Sequence, residues 1–311
     1  MMMKRVLLLV INLVVMYNIV FAQGDKMRLT IDLRNAILEE RVEVKGNDWR
    51  KEIVVEDDKK GTVEILLERG EYVQLQIGYA KSLLYLEPGK DLTLFLMADK
   101  DGAFSFFRNK FGYQGDEGNV SINKYLNEND LKFIKSIDFT LGENEFLNKL
   151  VELEKENSRL IKRQSFSKEF EKTELLRVKY LLYIPLVSYP VQHFWKNGSE
   201  WTGMEQYEET PLVKDYIPRL FVDSEEIWQI PSYRDYVKGG VGILAVSDLM
   251  GNDKGKAILE QLVFLAGHFK TSVILEDMTQ ELVMQYIQQT EGKPLGEIEN
   301  YYRHNVKKES Y

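Results

Sequence analysis

Apolar residues recur at every second position from Met27 to about Phe111 and at every third or fourth position after Gly118. One chain thus carries the period of a half-buried strand and then that of an amphipathic helix. Neither segment can take up the other's structure without turning much of its apolar surface to water. The expected class is α+β with two domains, an N-terminal antiparallel β-sandwich at residues 23–115 followed by an all-α helical domain at 116–311. The boundary is placed in the Gly-rich stretch Gly112–Gly118. A length of 311 residues agrees with two cores, since single cores stop growing at about 250 to 300 residues.

Within the first segment, Met27-Arg28-Leu29-Thr30-Ile31-Asp32-Leu33 is the clearest alternating run. Further strands are expected at Arg41–Val44, Glu52–Val55, Thr62–Leu67, Tyr72–Ile77, Ser82–Leu86, Leu92–Met97 and Ala103–Phe107. Turn signals such as Gly46-Asn47-Asp48, Arg69-Gly70 and Pro88-Gly89 separate them. In the second segment, Phe146, Leu147, Leu150, Val151 and Leu153, then Leu175, Leu176, Val178, Leu181 and Leu182, keep helical spacing. Helices are also expected over Leu212–Phe221, Tyr233–Leu249, Lys254–Phe269 and Glu276–Gln289, the last ended by Gly292 and Pro294. Ser224-Glu225-Glu226 and Thr279-Gln280-Glu281 look like helix starts.

The first 22 residues belong to neither domain. Lys4 and Arg5 precede an apolar run, Val6–Ala22, and Val20 and Ala22 sit where a signal peptidase needs small residues before Gln23. A signal peptide at 1–22 is expected, and with it a periplasmic or cell-envelope location with no stable membrane span after cleavage. An uncleaved anchor is the competing reading, because about 17 apolar residues is the short limit for crossing a bilayer. With no Cys in the sequence, lipid attachment at this junction is impossible, as are disulfides, Cys-ligated zinc and a thiol nucleophile. The net charge of −8, which becomes −10 without Lys4 and Arg5, argues against nucleic acid as a partner.

Motifs that would bring catalysis or a cofactor fail on inspection. Asp99-Lys100-Asp101-Gly102 lacks the first and last ligands of a calcium loop, and Gly251–Ala257 lacks both the glycine spacing and the hydroxyl of a phosphate loop. Gly239-Gly240-Val241-Gly242 reads as close helix packing or a kink, not a dinucleotide fingerprint. His193, His268 and His304 show no metal or nucleophile–base spacing. No cofactor and no catalytic residue are assigned. The run Tyr189–Trp201, between helical segments, concentrates Tyr189, His193, Phe194, Trp195 and Trp201, the mixture that an aromatic platform for a sugar or peptide requires. Those five residues are the candidate binding site, and an interhelical loop pinned to the core by its aromatics is the structural alternative. The expected function is non-enzymatic binding of a protein, peptide or glycan of the envelope. The competing function is an envelope or polysaccharide hydrolase working through a carboxylate pair or His193.

Leu84-Tyr85-Leu86-Glu87-Pro88-Gly89-Lys90-Asp91-Leu92-Thr93-Leu94, followed by Phe107, Gly115 and Asn123-Lys124-Tyr125-Leu126, resembles the N-terminal region of TlpA-like thiol:disulfide oxidoreductases exported by Bacteroidetes. Tyr233–Val237 and Glu276–Val283 resemble segments of the helical region that precedes the family's thioredoxin domain. The resemblance implies a β-sandwich and a helical region, and a separate thioredoxin-fold protein as one possible partner. It carries over no catalytic residue, because the family's Cys-x-x-Cys element has no counterpart in a chain without sulfhydryls. The implied protein is the accessory half of such an enzyme standing alone.

Overall fold

The computed structural model describes residues 24–34, 41–97, 112–129, 137–196, 210–245 and 254–289. The expected signal peptide, the strand at 103–107, the Asp99–Gly102 turn and the helix end at Gly292 and Pro294 lie outside them. The chain is an α+β mix with its strands in the N-terminal half. Those strands are β1 (Asp25–Arg34), β2 (Val42–Lys45), β3 (Arg50–Ile53), β4 (Lys60–Leu67), β5 (Glu71–Ile77), β6 (Ala80–Leu86), β7 (Leu92–Met97) and β8 (Gly112–Gly115). They form two four-stranded sheets, in the orders β4-β1-β7-β8 and β3-β2-β5-β6. Met27, Leu29, Ile31 and Leu33 of β1 are buried on one face while Lys26 and Arg28 face water, as the alternation requires. They share one hydrophobic cluster with Val44, Val73, Leu75 and Leu84 of the other sheet.

One expectation needs correction here. The pairing is not wholly antiparallel, since β1 runs parallel to β7 with Leu29 opposite Leu92 and Leu33 opposite Leu96. The connection between them passes through the other sheet, so no tight hairpin forces them to run oppositely. The Gly112–Gly118 stretch, in which the boundary is placed, is itself structured. Gly112–Gly115 forms β8 against β7, and Phe95 covers Gly112 across the ladder, where a Cβ would lie 3.1 Å from the Phe95 side chain.

Contacts gather the described residues into two compact units. The first contains the sheets, helix α1 (Glu117–Asn129) and the short stretch Phe166–Phe170. Asn123 of α1 treats the edge strand β6 as a neighbouring strand would. Its Oδ1 accepts from the Tyr85 amide at 2.9 Å and its Nδ2 donates to the Tyr85 carbonyl at 2.8 Å. Tyr72 and Tyr85, on the outer face of that sheet, are buried under Ile122, Leu126 and Phe170, with Tyr85 and Phe170 rings 4.7 Å apart. The Glu87–Asp91 turn is a joint. Glu87 accepts from Ser167 and Lys90, the Lys90 carbonyl accepts from Asn119, and Asp91 binds the Arg28 amide and guanidinium. The amide of Arg28, burial opposing it, and then the guanidinium hold the Asp91 carboxyl below its ordinary value.

The second unit is helical: α2 (Glu143–Lys162), α3 (Lys168–Lys196, from Glu171 onward), α4 (Pro211–Tyr216) with a 3₁₀ turn Ile217–Leu220, α5 (Glu225–Trp228), α6 (Pro231–Ala245), α7 (Lys254–His268) and α8 (Ser272–Gln289). α2 buries Phe146, Leu150, Leu153, Asn157 and Ile161, a single stripe. α3 is apolar around most of its circumference, and from Val178 to Pro190 it is largely buried. Tyrosines fasten the 3₁₀ turn after α4 and the residues that follow it. Tyr236 donates to the Ile217 carbonyl at 2.9 Å, Tyr180 to that of Leu220 at 3.2 Å and Tyr233 to that of Val222 at 2.6 Å. Burial pushes the Tyr180 phenol up to about 12 and raises Tyr233 and Tyr236 as well, so all three keep the proton they donate. Ser224 caps α5 as its sequence suggests, whereas Thr279 lies buried within α8, which starts at Ser272.

Candidate functional site

The candidate platform starts on a helix, not in a loop. α3 runs on through Pro185 and Pro190 to Lys196, so Tyr189–Lys196 is helical. The prolines deprive the Leu181 and Leu186 carbonyls of their usual donors, a cost of about 3 kcal/mol or more for an exposed helix. Here both prolines are buried. Packing on every side of the helix outweighs local propensity.

Tyr189 is fully buried and its hydroxyl donates to the Leu141 carbonyl at 2.6 Å. One turn on, His193 is partly exposed and stacks on Tyr189 with ring centroids 4.8 Å apart and planes 21° apart. Phe146 of α2 lies 4.3 Å from Tyr189, and Phe139 lies 5.7 Å from Phe146. These four rings form a continuous run in which the buried Phe146 and Tyr189, tilted 42° to one another, lie between the partly exposed Phe139 and His193. His193 Nδ1 lies 2.7 Å from the Phe139 carbonyl, an acceptor, which places the proton on Nδ1 and makes Nε2 the lone-pair nitrogen of the neutral ring. Nearby on the same segment, the Thr140 hydroxyl and amide hold the Asp138 carboxyl below its ordinary value, with Lys196 adding a weaker attraction.

Of the five residues predicted for the site, Tyr189 and His193 are brought together. Phe194 and Trp195 lie on the last turn of α3, but their side chains, like all of Trp201, fall outside the described residues. Tyr189 acts as an anchor, the structural alternative for this stretch, while His193 forms one partly exposed end of the run. The sequence reading missed Phe139 and Phe146 because they sit about fifty positions upstream. Their only local signal is the aromatic pair flanking the Thr140-Leu141-Gly142 turn.

Acid–base chemistry finds less support. An open cavity of about 410 Å³ between α6 and α7 is lined by Leu244, Ala245, Leu259, Val263 and Phe264, and its charged residues Lys256 and Glu260 lie 3.9 Å from one another. A second groove, of about 360 Å³, runs along α2 over Val151, Glu154, Lys155, Ser158, Arg159 and Lys162. The carboxyls raised above their ordinary range are elsewhere. Burial raises Glu71, against hydrogen bonds from Trp49 and Asn47, and burial raises Asp235, against the attraction of Lys238 and Arg234. Neither lines a cavity described here. Among the described residues no group of three or more His, Asp or Glu could hold a metal ion, and no helix is long and apolar enough to cross a membrane. No protein-family model matches the sequence, and no curated protein matches it.

Proposed function

We propose that this chain is an exported, non-enzymatic binding protein of the cell envelope, processed before Gln23, that holds a protein, peptide or glycan at the C-terminal end of α3. On this reading the two sheets form a β-sandwich domain and the helices after it a second domain, the arrangement implied by the resemblance to the accessory half of TlpA-like oxidoreductases. A separate thioredoxin-fold protein is the most specific partner that the resemblance suggests. One observation carries the binding reading: the four-ring stack Phe139–Phe146–Tyr189–His193, which holds a partly exposed imidazole in a fixed orientation beside the last turn of α3. Rigid aromatic surface binds with little loss of side-chain entropy.

The test is mild crosslinking of the protein at native level in its own envelope, followed by mass spectrometry of what co-purifies. The expected outcome is one protein or glycan at near-equal stoichiometry. It should be depleted when His193, Trp195 and Trp201 are replaced by Ala, with the helical circular dichroism unchanged. Recovery of the chain alone, or a partner retained in full by that variant, would remove the reading. N-terminal sequencing of the same material checks for cleavage before Gln23.

A further inference from the structure

The groove along α2 carries a charge pattern that the rest of the molecule does not explain. The chain has 49 Asp and Glu against 41 Lys and Arg, so a cation on its surface readily finds a carboxylate. Many do: Lys149 pairs with Glu152 at 3.6 Å, Lys172 with Glu226 at 2.7 Å, Lys238 with Glu281 and Arg28 with Asp91. Lys155, Arg159 and Lys162, like Lys45, Lys81 and Lys124, have no carboxylate within ion-pair distance among the described residues, and what sets the three apart is their grouping. All three line one groove, with the Ser158 hydroxyl between them and Val151 at one end. The one carboxylate among the described residues of the groove, Glu154, is engaged from α3 by the Tyr183 hydroxyl at 2.8 Å. A concavity in which cations outnumber carboxylates three to one among its described residues concentrates the field that each cation would spread into open solvent.

We propose that the α2 groove is a docking site for an acidic segment of a protein partner. The spacing favours a segment over a single small anion. Residues 155 and 162 are about 10 Å apart along the helix axis, at 1.5 Å per residue. The carboxylates of an extended acidic run repeat at about 3.3 Å per residue, or twice that along one face, and span such a distance with several charges. The Arg159 guanidinium offers a bidentate fork to one carboxylate, and the lysines act as point charges to its neighbours. Val151 supplies a short apolar contact, so an acidic run with an interspersed aliphatic residue is the best fit. This site is independent of the aromatic stack and stands or falls apart from it.

The experiment measures binding of a fluorescein-labelled twelve-residue peptide of alternating Glu and Ala to the purified protein at low ionic strength, by anisotropy, with its Gln-for-Glu counterpart as control. The wild-type protein should bind the Glu peptide and not the Gln peptide, with affinity falling as salt rises from about 20 to 150 mM, because exposed charges are screened over about 8 Å at the higher value. The triple variant Lys155→Gln, Arg159→Gln, Lys162→Gln should bind at least about tenfold more weakly, the usual scale for removing a cluster of interfacial charges. A second triple variant, Lys45→Gln, Lys81→Gln, Lys124→Gln, makes the same change in net charge on the first unit and should bind like wild type. Equal binding by both triple variants would overturn the proposal, as would absence of binding to the wild type. Full displacement of the peptide by a few millimolar inorganic phosphate would also overturn it, by showing that the groove selects a small anion.

Discussion

Asn123 shows how one side chain can substitute for a strand. It is 1% exposed and satisfies both main-chain groups of Tyr85 at the edge of the β3-β2-β5-β6 sheet. Replacing it by Ala leaves a buried N–H and a buried C=O without partners, which costs about 2–6 kcal/mol at about 1–3 kcal/mol per group. Asn129, whose side chain bonds only the Tyr125 carbonyl one turn back, is the control and should lose less than about 1 kcal/mol on the same change. Urea titrations of the two variants check the contrast. Glu71 gives a pH-dependent test of another kind. Its folded pKa is raised by burial, so its favourable contribution is fully present below the ordinary value of 4.5 and is lost as pH rises through the folded value. Glu71→Gln keeps an oxygen for the Trp49 indole N–H and removes the ionisation. The variant should match wild type near pH 4 and gain on it as pH rises toward 7. A difference that stays flat, or shrinks, over that range would contradict the assignment. Neither residue announces its role in the sequence. Asn123 lies in an ordinary helical pattern and Glu71 begins an alternating strand, and their partners are 38 and 22 residues away.

The helices show which signals survive folding. The periods at Phe146–Leu153 and Tyr233–Val241 predict α2 and α6, and Ser224 predicts the cap of α5, because these signals are local. The extension of α3 through Pro185 and Pro190 was not legible, since proline opposes a helix locally and only the burial of both rings explains why the helix persists. The three glycines of α6 turn the same distinction into a prediction. A Cβ on Gly239 would lie 2.7 Å from Val187 Cγ1, and one on Gly240 would lie 2.9 Å from the Phe221 ring and 3.0 Å from Ile217 Cγ2, whereas one on Gly242 would meet nothing within 4 Å among the described residues. Gly242→Ala should stabilise the protein by about 0.5–1 kcal/mol, the helix-propensity difference. Gly240→Ala should destabilise it by about 1–3 kcal/mol through overpacking against a ring and a β-branched side chain. Thermal melts that moved both variants in the same direction would show that helix propensity or core space alone governs α6.

For the molecule as a whole, the change of period near Gly118 predicts where strands give way to helices, yet contacts do not part there. α1 and Phe166–Phe170 belong to the first unit, although both are helical or helix-flanking and one lies some forty residues further along the chain. The reason is physical. β6 is an edge strand, and the outer face of its sheet carries Tyr72 of β5 opposite Tyr85 of β6, so an uncovered edge beside two large aromatics is both unsatisfied and sticky. Asn123 supplies the missing main-chain partner and Phe170 the missing apolar cover. Hydrophobic periodicity reports what each segment buries, not against which distant segment it does so. The consequence can be measured with fragments. A fragment of residues 24–115 retains the strands and lacks both covers, so it should aggregate or give a poorly dispersed amide spectrum. A fragment of residues 24–130 regains Asn123, Ile122 and Leu126 and should be the more soluble and more protected of the two. It should still fall short of the full chain by about 3–5 kcal/mol, the usual cost of removing a buried Phe, because Phe170 is absent. If the shorter fragment folds as stably as the longer one, the sheets complete their own surface, and α1 packs on a unit that does not need it. If instead the longer one recovers the hydrogen-exchange protection of the Tyr85 amide and the shorter does not, the Asn123 bridge is what closes the edge.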